Sequence, residues 1–254
     1  MKNLIICYLI SIATFAQNSV EITYNIETNF PLKYQTKAIL KIVDNKSHYI
    51  VLKSKNSSSE FTITDENGGI AISAPESDKR PVVLVDLEAQ MLYSYVPMFQ
   101  KYNLIKETLP KIKWKIINEY KDFKNLKCQK ANGYFRGRNY TAWFSKDIPL
   151  PFGPWKLNGL PGLIIEAKDD KNQVYFTASK ISYNKSITIE DFPSEKKAVA
   201  LKTFISEIIP KKFEELESKM NSKSDRDISF TLHLPDRNNA KEITFEWEEE
   251  KTQN

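Results

Sequence analysis

Apolar and polar residues alternate along most of this chain, and a period of two marks strands that bury one face. Val20, Ile22, Tyr24 and Ile26 occupy every second position of the first such run. Residues 37–43 and 48–53 follow, joined by Asp44-Asn45-Lys46-Ser47, and predict a hairpin. Residues 61–64 and 69–73 predict another around Asn67-Gly68, a pair suited to a tight turn. After a polar loop bounded by Pro75 and Pro81, residues 82–85 and 91–96 supply two more strands. Trp114, Ile116 and Tyr120 open a further strand, and residues 126–135 and 138–144 continue the pattern. Residues 163–168 and 174–179 flank Asp169-Asp170-Lys171-Asn172 as a clear hairpin. Ile228, Phe230, Leu232 and Leu234, then Ile243, Phe245 and Trp247, predict a closing hairpin around residues 235–241.

Two segments break the alternation. Leu201, Phe204, Ile205 and Ile208 have the spacing of one helical face. Ser194 can cap the start of this helix, and Glu195 suits the positive end of its dipole. Pro210 should kink or end it, and Phe213, Leu216 and Met220 then predict a second short helix. Phe99, Tyr102, Leu104 and Ile105 predict a short helix before Pro110. The expected fold is mainly β: an antiparallel, curved or half-barrel-like sheet, with a helical insertion at about residues 194–220 packing on it. No internal repeat or domain boundary stands out, so residues 17–254 are expected to form a single β-rich domain.

The first sixteen residues are expected to be removed. Lys2 precedes an apolar run from Leu4 to Phe15, with small residues before Gln17, the pattern of a signal peptide cleaved after Ala16. The run is too short to cross a bilayer as a helix, so no transmembrane anchor is expected in the mature chain. Cys7 lies inside the run rather than at its end, which argues against a lipoprotein. Location in the periplasm or outside the cell follows. Cleavage removes one of the two cysteines and leaves Cys128 without a disulfide partner. Apolar residues at 41% are enough for a core, and a net charge of +5 spread over both signs gives no reason to expect nucleic acid as a partner.

Chemistry is sparse. His48 and His233 are the only histidines, which leaves too few ligands for an ordinary zinc site. No G-x-S-x-G elbow, phosphate-cradling loop or spaced acidic calcium loop is present, and neither a metal nor a cofactor is expected. Cys128 is either a reactive thiol or a buried small hydrophobe, and burial is the expected state. Arg136 and Arg138 flank Gly137. They either bind a carboxylate or phosphate, or sit in solvent while Gly137 reverses the chain; solvent is the expected place.

One stretch stands apart: residues 151–163, "PFGPWKLNGLPGL", hold three of the seven glycines in the chain. Asn158-Gly159 suits a turn with two positive φ angles, and Pro161-Gly162 suits a type II turn. Together they predict a rigid corner covered by nearby aromatics. Leu163, Ile164 and Ile165 then enter a strand buried on both faces.

Gly159, Leu160, Pro161, Gly162, Leu163 and Ile164 spell GLPGLI. On that signature the chain resembles the GLPGLI family, or Porph_ging type, of exported proteins found chiefly in Bacteroidetes. The resemblance extends upstream through Cys128, Lys130 and Ala131, the Arg136-Gly137-Arg138 turn, Trp143, and Gly153-Pro154-Trp155. It implies export in a Gram-negative cell and supplies no activity and no catalytic residue. The block of residues 128–164 is therefore expected to serve folding or function without distinction.

The leading expectation is an exported, non-enzymatic binding module of the bacterial envelope. Its partner would be a peptide, a lipid-like ligand or an envelope protein. A structural subunit of an envelope assembly is the alternative, followed by a hydrolase built around Cys128, Arg136, Arg138 or Glu166.

Overall fold

The computed structural model describes residues 19–249 except 31, 54–59, 64–69, 74–79, 99–100, 185, 190–192, 194–196 and 224–228. The leader and its cleavage point, the Asn67-Gly68 turn, Ser194 and Glu195 lie outside the described residues.

The chain is mainly β, and two antiparallel meanders build one sheet. The first uses β1 (Val20–Phe30), β2 (Leu32–Val43), β3 (Lys46–Val51), β6 (Val82–Asp86), β7 (Met91–Met98) and β8 (Lys101–Thr108). A separate two-stranded hairpin, β4 (Glu60–Ile63) with β5 (Ile70–Ser73), interrupts it. The chain then crosses to the far edge. It returns through β9 (Trp114–Phe123), β10 (Leu126–Phe135), β11 (Arg138–Ser145), β12 (Leu163–Asp169) and β13 (Val174–Tyr183). Strand β13 pairs with β1 and closes the seam between the meanders. A short β14 (Val199–Ala200) adds the one parallel pairing among the described residues, on β8. The order β14-β8-β7-β6-β3-β2-β1-β13-β12-β11-β10-β9 leaves β14 and β9 at opposite ends, so the sheet is not closed into a barrel.

Alternation puts one apolar row across six strands. Ile22, Leu40, Tyr49, Val83, Ser94 and Ile105 are successive cross-strand partners, and all are buried. Ser94 is the polar exception in that row. At its end, Ile105 packs with Leu201, Phe204 and Phe245 in a second apolar cluster that fastens the helix to the sheet.

Three expectations are corrected. The segment read as a helix before Pro110 is β8, paired with β7 from Met98↔Lys101 to Met91↔Thr108. Tertiary pairing overrides a local spacing that only four residues supported.

Pro210 does not end the helix, which runs through residues 201–221. A π-helical turn, Phe204–Ile208, precedes the proline, and Ile209 N donates to Phe204 O, five residues back. The wider turn accommodates a residue that has no N–H to donate and a ring that crowds the preceding turn.

No closing hairpin forms among the described residues 229–249. Their backbone groups bond elsewhere: Phe230 N donates to Asn221 Oδ1 at 2.6 Å, and Leu232 N to the Glu217 carboxylate at 2.8 Å. Ile243 N donates to Arg136 O at 2.9 Å. This strap lies across the turn between β10 and β11 and ends in a helical turn, Glu246–Glu249.

Candidate functional site

The glycine-rich stretch folds as a plug against the sheet, by a route other than the two expected turns. Gly159 has φ +90°, but Asn158 is not in the left-handed region and bridges Phe152 instead. Gly162 is not left-handed either; a Cβ there would stand 2.2 Å from Ser145 O, so only glycine lets the two backbones approach. Gly153 is tight for the same reason, with Leu157 O 2.7 Å from where its Cβ would lie. Ile164 N donates to Phe152 O at 3.0 Å. Tyr24 Oη, from β1, donates to Ile164 O at 2.6 Å, pinning the plug to the central strand. Leu160, Leu163, Ile164 and Ile165 are all buried.

The plug carries two residues onto the inner face of the sheet. Trp155, at φ +59°, packs edge-on to Phe135 and stacks on Phe176. Lys156 follows it and is buried.

Lys156 Nζ lies 2.7 Å from Glu107 Oε1 and 2.9 Å from Glu242 Oε1. Arg136 donates to the same two carboxylates and, at 3.0 Å, to Glu246. Two cations thus share two buried carboxylates, one from β8 and one from the strap. Burial works to lower the pKa of Lys156, but Glu242 and Glu107 outweigh it and raise the pKa. Burial works to raise that of Glu242, and Lys156 and Arg136 outweigh it and lower it.

Arg138 belongs to a different set. Its guanidinium donates to Asp169 at 2.6 Å and Gln173 at 2.9 Å, and its Nε to Ala240 O at 3.1 Å. Asp169 also accepts from Gln173 N and Val174 N. The expectation that both arginines sit in solvent is therefore overturned, with Arg136 5% and Arg138 1% exposed. The turn itself is the reason. Arg136 (φ +45°) and Gly137 (φ +86°) form a two-residue reversal between β10 and β11. The strap docks over it, and the carboxylates of the strap and of β8 and β12 compensate the buried charge.

Beside the shared ion-pair cluster lies a cavity of about 230 Å³. Its floor is the sheet, through Tyr49 and Val51 of β3, Val82 and Val83 of β6, and Ser94 to Pro97 of β7. Trp155 and Lys156 form one wall, Leu201, Phe204 and Ile205 of the helix another, and Lys241 and Glu242 of the strap a third. Most of this lining is apolar. The hydroxyls of Tyr49 and Ser94 are buried and have no hydrogen-bond partner among the described residues. Lys241 is half-buried, with its Nζ 5.7 Å from the ring centres of Trp155 and Phe176. Burial lowers its pKa to about 8, with Lys156 acting in the same direction and Glu242 against.

Of the residues singled out within the block, Trp155 alone reaches this cavity, beside Lys156, which was not singled out. Cys128 is fully buried in β10, and burial raises its pKa to about 11, the state of a packing residue rather than a reactive thiol. Lys130 pairs with Glu119 at 2.9 Å on the outer side. Trp143 lies under the Lys121 ammonium, and Lys121 in turn pairs with Glu166 at 2.9 Å. Pro154 O accepts from Leu157 N within the plug, and Pro161 is exposed at its tip. Cys128, Arg136, Arg138 and Glu166 each bond to different partners and do not converge. The residues that do converge, Tyr49, Ser94, Lys156, Lys241 and Glu242, were not singled out by sequence reasoning. Lys156 alone carried a signal, as a charge between Trp155 and Leu157 in an apolar stretch.

Among solved structures the chain is similar to PNGF-II in two crystal forms. One has 15% identity and a TM-score of 0.50, covering 75% of this chain and 32% of that one. The other has 16% identity and a TM-score of 0.47, covering 67% and 28%. The chain thus spans about a third of the length of PNGF-II, and at 15% identity the likeness is one of fold alone. A LolA superfamily protein from Nitrosomonas europaea matches more weakly, at 9% identity and a TM-score of 0.27 over 73% of this chain and 92% of that one. No curated protein matches the sequence. The family model Porph_ging, described as a protein of unknown function, matches residues 104–166, and it is the family that the GLPGLI block resembles.

Proposed function

We propose that this protein is a binding module that takes a small apolar molecule into the cavity between sheet, helix and strap, and that it works in the bacterial envelope. The observation that carries this reading is the pair of hydroxyls, Tyr49 and Ser94, that have no partner among the described residues, in a mostly apolar cavity edged by Lys156, Lys241 and Glu242. A buried hydroxyl without a partner costs about 1–3 kcal/mol, and a ligand with a polar end relieves that cost. Enclosure by three separate elements around a few convergent polar groups is the usual form of a small-molecule site. No helix among the described residues is long and apolar enough to cross a membrane. Export of residues 17–254 as one domain rests on the leader-like first sixteen residues and on the family resemblance.

Titration with 1-octanol tests the site. Trp155 lines the cavity, so filling it changes tryptophan emission, and Trp155→Phe removes that change while the heat of binding persists. Saturable binding with this signature supports the reading; the absence of any saturable heat or emission change contradicts it.

A further inference from the structure

We infer that the ligand is a monocarboxylate with a short apolar tail, its carboxylate seated at Lys241 and its tail between the sheet and the helix. This rests on the cavity being a binding site and adds the chemical class of what it binds.

The charge balance points to an anion. Arg136 and Lys156 are matched by Glu107 and Glu242, which each of them touches. Glu246, the further partner of Arg136, is 55% exposed and screened by solvent. Lys241 faces the same space, yet no carboxylate of the described residues lies within ion-pair distance of it. Its neighbours are two aromatic rings, the engaged Glu242 and the repelling Lys156. The cavity therefore holds one cation for which the described residues provide no counter-ion.

The hydroxyls point the same way. Tyr49 and Ser94 are 1% and 4% exposed, line the same cavity, and have O–H groups with no acceptor among the described residues. A carboxylate is an acceptor-only group with two oxygens. An ammonium would repel Lys241, and an alcohol would leave it without a counter-charge.

The remaining lining sets the tail. Val51, Val83, Val96, Leu201 and Phe204 offer no polar group to it. At about 30 Å³ per water-sized group, a cavity of about 230 Å³ holds a chain of roughly six to eight carbons.

Protonation follows from the geometry. The titratable and charged groups around Lys241 are Glu242 and Lys156 beside it, Arg136 and Glu107 behind them, and the phenols of Tyr49 and Tyr95 on the sheet. In the free protein the Lys241 pKa is about 8. A bound carboxylate raises it, so binding takes up a proton and affinity falls as pH rises above that value.

Calorimetric titration of delipidated protein with octanoate, 1-octanol and octylamine tests this. Near neutral pH octanoate should bind at least about tenfold more tightly than 1-octanol, with octylamine weakest. The octanoate preference should shrink as pH rises beyond the Lys241 pKa of about 8, whereas 1-octanol affinity should not move. Lys241→Met should abolish the preference for octanoate over 1-octanol. The pH series on the unmodified protein tests the same assignment without any variant. Octanoate and 1-octanol binding alike, or a preference indifferent to pH, overturns the carboxylate assignment and leaves the cavity standing. No binding by any of the three overturns the cavity itself, and this inference with it.

Discussion

Lys156 Nζ stands 2.9 Å from Glu242 Oε1, and this bond joins the glycine-rich plug to the C-terminal strap across 86 residues of sequence. Glu107 completes the triangle from β8, and Arg136 closes it from the β10–β11 turn. Plug, strap and both meanders thus meet at one buried charge cluster, which forms one side of the cavity.

Removing a cation from that cluster should be costly. Lys156→Met leaves two buried carboxylates to one arginine, and breaking a buried pair typically costs about 3–5 kcal/mol. Urea denaturation should show a loss of that order. Hydrogen exchange should quicken first in residues 237–249, which the cluster holds down.

The Arg138–Asp169 pair should behave as an independent unit. Both side chains are fully buried, so Arg138→Met strands a carboxylate and should destabilise by about 3–5 kcal/mol. Asp169→Asn in the same chain should recover part of that loss, because the amide oxygen can still accept from Gln173 N and Val174 N. Equal stability of the single and double variants would show that the pair is not what Arg138 serves.

The motif glycines should differ in cost. Gly162→Ala places a Cβ 2.2 Å from the Ser145 carbonyl, and rigid backbone must move. Gly159→Ala meets nothing closer than Trp114 Nε1 at 4.0 Å and suffers only from its φ of +90°. The expected losses are about 1 kcal/mol for Gly159→Ala and about 2–3 kcal/mol or more for Gly162→Ala. Thermal unfolding of the two variants side by side decides the order.

Acid should release the strap. The folded pKa of Glu242 lies below its ordinary value, so its stabilisation is present above that value and is lost as pH falls through the folded pKa. Protection of residues 237–249 from hydrogen exchange should therefore decline below the ordinary carboxylate range of about 4–5. Glu242→Gln should flatten that decline. A wild-type decline unchanged in the variant would assign it to another group.

Much of the sheet was legible because alternation is a local signal, and β1, the second half of β2, β11 and β13 follow it closely. The site was not, because its residues take their meaning from distant partners. Lys241 reads as the end of a hairpin turn and Glu242 as the polar face of the strand after it, until Arg136 and Lys156 capture Glu242. Arg136 and Arg138 read as a solvated turn, since nothing nearby in sequence announces Glu107, Asp169 or Ala240 O. Ser94 reads as an ordinary strand residue, and only the cross-strand row places its hydroxyl among apolar partners. The GLPGLI stretch reads as a compact corner, but the turns expected in it do not form, because close approach rather than positive φ accounts for Gly162.

Native mass spectrometry of protein purified gently from its own cells tests the central claim most directly. The expected result is a population heavier by one small molecule, whose fragments identify an apolar acid and which a cavity-filling Ser94→Phe variant lacks. A bare chain in both proteins, or an adduct that Ser94→Phe retains, would contradict it.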